Sequence, residues 1–224
     1  VEVSYIGYEA QTVNVTSANS SLNISLIEGL MFGQEVVISA SRKREKVQEA
    51  PASVSVISAR KLEVSANATD PVRTLISTPG VQIQQQSANR INISMRGGAG
   101  LFGTSVFPIM DYRSLVGPGI GTFQTDNSGI SNIDLQKVEV VRGPGSALYG
   151  PGVTQGVVHF ITKNPIDFPG TAVEFIGGSL STYGANVRHA GRNESGKFGY
   201  KINARYQRGD EFTLAPDDPC LLYT

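Results

Sequence analysis

Residues 138–152, VEVVRGPGSALYGPG, restrict the fold of this chain more than any other stretch. Val138, Val140 and Val141 are β-branched and suit a pleated strand. Gly143, Pro144 and Gly145 then break it, Ser146-Ala147-Leu148-Tyr149 leaves room for one helical step, and Gly150-Pro151-Gly152 stops that step. A strand, a Gly-rich turn and a helix start is also the layout of a phosphate-cradling loop. The P-loop pattern G-x-x-x-x-G-K-[ST] finds its glycines in Gly145 and Gly150, but Pro151 and Gly152 stand where the phosphate-binding lysine and the Mg²⁺-binding hydroxyl are needed. The dinucleotide pattern G-x-G-x-x-G finds Gly143 and Gly145, then meets Leu148 where its third glycine belongs. The groups that would bind nucleotide are missing, so the stretch reads as a strand and tight turn.

Charge excludes a second class. The formal net charge is zero, and charged residues make up 17% of the chain. Nucleic-acid binding is driven by phosphate neutralisation, which needs a basic excess, so no nucleic-acid partner is expected. Cys220 is the single cysteine, which rules out an internal disulfide. His159 and His189 lie far apart, and Asp111, Asp126, Asp134 and Glu139 are scattered without a pairing interval. Neither G-x-S-x-G nor H-E-x-x-H occurs. No enzyme activity, metal or cofactor is expected. No apolar run has the length of a membrane-spanning helix, but β-barrel strands are short and only alternately apolar, so a barrel stays open.

Along the chain, Leu22, Ile24 and Leu26 alternate with polar residues as a half-buried strand within residues 1–28. Residues 29–50 read as a linker containing the apolar run Val36-Val37-Ile38 and a charged run from Arg42 to Lys46. Residues 51–165 form the main unit, with a strand at Val54 and Val56. Asp70 and Pro71 start a helix whose buried face is Val72, Leu75 and Ile76, and Pro79-Gly80 ends it. Strands are expected at 81–85, 91–96, 137–142 and 156–162, and residues 97–130 read as a long Gly-rich loop. Beyond residue 170 the pattern changes: Phe198, Tyr200, Ile202, Ala204 and Tyr206 share one strand face, while Gly199, Lys201, Asn203, Arg205 and Gln207 share the other. Such a strand fits a barrel wall or an antiparallel sheet on a soluble core. Val1 is not a start methionine, and the chain is expected to be a piece of a longer protein.

Four stretches in order, Ile93-Ser94-Met95-Arg96-Gly97, Val138 to Pro144, Ser146 to Gly150 and Gly156 to Pro165, resemble the plug domain of TonB-dependent outer-membrane receptors. Val3-Ser4-Tyr5-Ile6-Gly7-Tyr8 is similar to the end of a carboxypeptidase-regulatory-like β-sandwich, as found before the plug in Bacteroidetes-type receptors. The resemblance implies an α+β plug domain, a small mixed sheet with short helices, preceded by a partial β-sandwich (1–28) and a linker (29–50). The plug (51–165) is followed by the first strands of a transmembrane β-barrel (170–224). Asp111-Tyr112-Arg113-Ser114 stands where many plugs carry an Asp-Gly-Val-Pro-like turn.

The same resemblance implies a Gram-negative outer-membrane location and energised uptake of a scarce ligand through a barrel of about 22 strands. The ligand would be a siderophore, cobalamin, a glycan or a peptide; a receptor of this build that signals without import is the alternative. The implied partners are the TonB protein, outer-membrane lipid, the nutrient ligand and a surface lipoprotein. Glu35, Val36, Val37, Ile38, Ser39 and Ala40 resemble a TonB box, whose unpaired backbone could add as a strand to a partner sheet. The surrounding linker is expected to keep it accessible. Arg96, Glu139 and Arg142 are expected to lock the plug to the barrel wall or within its own core, because charges buried in a lumen must pair. Phe102, Phe107, Phe123, Gln124 and Asp126 are candidate ligand contacts by their place in outer loops.

Overall fold

Near-continuous apolar runs in VEVV and GVVHFI are the mark of strands covered on both faces. They form the two central strands of a computed structural model describing residues 2–3, 11–12, 24, 36–43, 45–64, 70–85, 91–96, 106–117, 119, 121, 123, 125 and 128–211. In chain order, β1 (Glu2–Val3) pairs with β2 (Gln11–Thr12), and β3 (Val36–Val37) with β4 (Glu45–Lys46), both antiparallel. Then come β5 (Ser53–Ser58), helix α1 (Ala59–Val64), a 3-10 helix (Pro71–Ser77), and the antiparallel pair β6 (Val81–Gln85) and β7 (Ile91–Met95). The hairpin strands β8 (Val106–Met110) and β9 (Arg113–Ser114) follow, then a 3-10 turn (Asn132–Asp134), β10 (Leu135–Arg142), helix α2 (Ser146–Tyr149) and β11 (Gly156–Thr162). A separate antiparallel sheet holds β12 (Gly170–Gly177), β13 (Tyr183–Arg192) and β14 (Gly199–Arg208).

The main sheet has the order β5-β10-β11-β8-β9. It is mixed: β10 is antiparallel to β5 and β11, while β8 runs parallel to β11. One face carries Val138, Val140, Val158 and Phe160 against Val72, Leu75, Ile91, Ile93 and Met95. The other carries Val141 and Val157 against Val37 and Ala40. Gly156 sits where β10 and β7 close on β11. A Cβ there would lie 2.6 Å from the Met95 sulfur and press on the Val141 carbonyl. Gly156→Ala is therefore expected to lower the stability of this unit by about 1–3 kcal/mol, as overpacking of a filled core does. A shifted urea midpoint with an unchanged slope would report it.

Most expected strands lie within a residue or two of their predicted places; three expectations change. The segment after Asp70 is a 3-10 helix. Asp70 caps it by accepting the Val72 N–H at 2.9 Å. With three residues per turn, Val72 and Leu75 stack on the buried side and Ile76 turns out, 66% exposed. The presumed loop 97–130 contains the strand β8, which is short, interrupted by Pro108 and held by a non-local parallel pairing. Residues 36–50 are no free linker: β3 and its following turn are packed against the sheet, with Val37 and Ser39 fully buried.

In the second sheet the two faces separate as the alternation requires. Phe175, Tyr183, Tyr200, Ile202 and Tyr206 lie on an exposed apolar face. Asn186 and Arg188 are buried on the opposite face, which turns toward the main unit.

Candidate functional site

The same register that buries Val141 and Val157 brings Lys137, Glu139 and His159 to one face of the sheet, with Glu139 directly opposite His159 across β10 and β11. The 36–40 segment lies on this face. Glu139 Oε2 accepts the Ile38 N–H at 2.9 Å and the Ser39 N–H at 2.8 Å. Lys137 Nζ donates to the Val36 carbonyl at 2.6 Å and pairs with Glu139 Oε1 at 2.6 Å. Ser39 Oγ meets His159 Nδ1 at 2.8 Å, and the Tyr149 hydroxyl donates to the Ser39 carbonyl at 2.8 Å. Arg42 closes the contact by placing its guanidinium 5.0 Å from the centre of the Tyr149 ring. The stretch pairs as a strand with β4 at Val36 and Val37, and it is tied to the main sheet by side chains of β10 and α2 on its backbone and by His159 of β11 on the Ser39 hydroxyl.

Burial alone would push the Glu139 carboxyl up. The Lys137 ammonium and the Ile38 and Ser39 amides outweigh burial and hold it below the ordinary carboxylate range. Burial lowers His159, against the opposing pull of Glu139 and Asp111. Burial also raises the Tyr149 phenol, which keeps its proton and remains a donor to Ser39.

The expected locking charges divide by role. Glu139 is buried and binds Lys137 and the Ile38 and Ser39 amides. Arg142 works inside the main unit: Nη1 donates to the Pro79 carbonyl at 2.6 Å and Nη2 to Ser53 Oγ at 2.9 Å, tying edge strand β5 to the turn before β6. Arg96, in a left-handed conformation, donates to the Arg142 carbonyl at 3.4 Å. In the hydrogen bonds of the described residues, none of the three reaches the second sheet.

The contact between the two sheets centres instead on Asp134, at the end of the 3-10 turn before β10. Its Oδ1 accepts from Arg188 Nε at 2.9 Å; its Oδ2 accepts from Lys201 Nζ at 2.9 Å and Asn203 Nδ2 at 2.8 Å. Lys201 also donates to Thr162 Oγ1 at 2.8 Å, and Arg205 Nη1 to the Ile130 carbonyl at 2.7 Å. The alternation of Lys201, Asn203 and Arg205 on one strand face was a signal that a carboxylate must oppose them; spacing along the chain gave no reason to choose Asp134.

Of the candidate ligand contacts, Phe102, Gln124 and Asp126 lie outside the described residues, as does Glu35 of the expected box. Phe123 is buried in the main core and Phe107 packs 6.4 Å from Tyr149, centre to centre. Phe107 is half-buried, and both residues take part in packing. Among the described residues no cluster of His, Cys, Asp and Glu could hold a metal ion.

Residues 46–157 match the profile of the TonB-dependent receptor plug domain. The chain is 29% identical over 149 residues to the ferric enterobactin receptor PirA of Pseudomonas aeruginosa, covering 62% of this chain and 20% of that protein. It is 29% identical over 155 residues to the vitamin B12 transporter BtuB of Vibrio vulnificus, covering 67% and 24%. With the ferrichrome outer membrane transporter and phage receptor of Escherichia coli, identity is 24% over 226 residues, covering 92% of this chain and 29% of that one. The fold is similar to the alcaligin outer-membrane receptor FauA of Bordetella pertussis, with a TM-score of 0.60 at 22% identity, over 79% of this chain and 30% of that one. The chain thus spans between a fifth and under a third of these proteins' own length.

Proposed function

Because this chain belongs to the family of TonB-dependent receptor plug domains, we propose that it supplies the plug and first wall strands of a receptor for energised nutrient uptake, with residues 35–40 as the segment offered to TonB. It is a Gram-negative outer-membrane protein. A ferric siderophore or cobalamin is the favoured ligand class, supported by relatives named as ferric enterobactin and vitamin B12 receptors. Glycan or peptide uptake with a surface lipoprotein is the finer alternative. The reading of residues 1–28 as the end of a carboxypeptidase-regulatory-like domain, of the Bacteroidetes type, rests on the Val3 to Tyr8 stretch and is kept as a proposal.

One observation carries the TonB reading: residues 36–39 are held to the main sheet by side chains, Lys137 and Glu139 of β10 and Tyr149 of α2, and among the described residues their strand pairing is with the two-residue β4. Side-chain contacts can be exchanged for strand pairing with a partner without unravelling the sheet beneath. The exposed apolar face of β12–β14 supports the barrel reading, since its outer side suits lipid while its inner side is bonded to the plug.

A peptide of residues 34–42 is expected to bind the isolated C-terminal domain of TonB. Proline at Val37 in that peptide should weaken binding about tenfold, because it removes a backbone donor from the added strand. Isothermal titration calorimetry reads the difference. Equal affinity of the two peptides, or none for either, would remove residues 35–40 as the TonB-binding segment.

A further inference from the structure

The turn between β8 and β9 is strained. Asp111 and Tyr112 both have positive φ, 46° and 69°, a conformation that L side chains rarely adopt. The Asp111 carboxylate anchors the turn by accepting the Thr162 N–H at 3.0 Å and its hydroxyl at 2.6 Å. This geometry places the Tyr112 ring edge-to-face on His159, 4.8 Å between centres. His159 is 1% exposed, its Nδ1 meets Ser39, and its Nε2 has no hydrogen-bond partner among the described residues.

We propose that His159 is a positioning residue that keeps the 36–40 segment docked only while its imidazole is uncharged, and that Tyr112 is the cover that shuts water away from it. The proposal rests on the reading of 36–40 as the TonB-binding segment and adds a proton-sensitive control to it. The charged and titratable groups around the ring are Glu139 and Lys137 from β10, Asp111 and Tyr112 from the β8–β9 turn, and Tyr149 from α2 through their shared partner Ser39. Both neighbouring carboxylates are already engaged, Glu139 by Lys137 and two amides and Asp111 by Thr162, so neither is free to close on an imidazolium. A second ring proton would therefore be buried at Nε2 without an acceptor. Relief comes when the segment leaves and water enters.

The sign follows from burial, which sets the docked imidazole below its ordinary value of 6.5. Docking is then complete above that value and weakens as pH falls through and below it. In the intact receptor, deuterium exchange at the Ile38 and Ser39 amides, corrected for the intrinsic pH dependence of exchange, reads the docked population. Protection should fall by up to about tenfold per pH unit below about pH 6.5. His159→Asn, whose side-chain amide reaches toward Ser39 but does not titrate, should flatten that profile. Tyr112→Gly should make the fall shallower, because water admitted to the docked ring narrows the difference between its docked and undocked proton affinities, and Tyr112→Phe should restore the original profile. A pH-independent protection in the parent protein, or the same fall in His159→Asn and in the parent, would overturn the proposal. Capture by the TonB domain at pH 7.5 is scored separately: its absence would remove the partner assignment, while the exchange profiles alone decide the role of His159.

Discussion

Asp134→Ala should separate the plug sheet from the β12–β14 sheet. Asp134 is a buried acceptor for Arg188, Lys201 and Asn203 at 2.8–2.9 Å. Removing it leaves the buried Arg188 guanidinium and the Lys201 ammonium facing each other's neighbourhood without an anion. Breaking a buried pair from one side costs about 3–5 kcal/mol, because the partner charge stays desolvated. Two cations on one lost carboxylate place this variant at the upper end. Urea denaturation of the intact receptor should show a lower midpoint, and vesicles containing it should leak large antibiotics that the parent excludes. Asp134→Asn, which keeps acceptor capacity for one donor, should fall between. Unchanged midpoint and unchanged leakage in Asp134→Ala would mean that the sheets are held by something else.

Glu139→Ala is the second large effect, and its direction is gain of exposure. The variant strips the acceptor from the buried Ser39 amide and the part-buried Ile38 amide, and the counter-charge from Lys137. At about 1–3 kcal/mol for each orphaned buried donor, loss of roughly 3 kcal/mol of docking is expected. The 36–40 segment should then exchange its amides freely and be captured by the TonB domain more readily than in the parent. Glu139→Gln keeps one carbonyl oxygen and should lose less. The pH sign is opposite in origin to that of His159 but alike in direction. The Glu139 carboxyl is held below its ordinary value of 4.5, so its contribution is present above that value and is lost as pH falls through the lowered one. Parent-like protection at residues 38 and 39 in Glu139→Ala would show that the carboxylate does not hold the segment.

The sheet was legible because its evidence is local. Val138 to Arg142 and Gly156 to Thr162 carry their own strand pattern, and Asp70-Pro71 carries its own cap. The apolar and polar faces of β14 could be assigned from alternation alone. β8 was hidden because Val106 to Met110 is brief, contains Pro108 and is a strand only by virtue of β11 beside it. Glu139 was visible as a charge in an apolar run, but the amides it binds lie 100 and 101 positions away. Asp134 was one acidic residue among several until β13 and β14 supplied its cations. Chemistry made by side chains from distant strands leaves no interval in the sequence to read.

That separation of about a hundred residues also orders events when the chain first folds. Residues 36–40 emerge early, yet Glu139 and His159, which receive them, emerge 100 and 120 residues after Ser39. Closing a loop of that length costs about 4 kcal/mol of chain entropy, plus a constant, before any contact forms. The hairpin of β10 and β11 needs only a short connection and can assemble first. The dock is therefore built before it can be used, and the segment arrives last, as the step that completes the plug rather than the one that starts it.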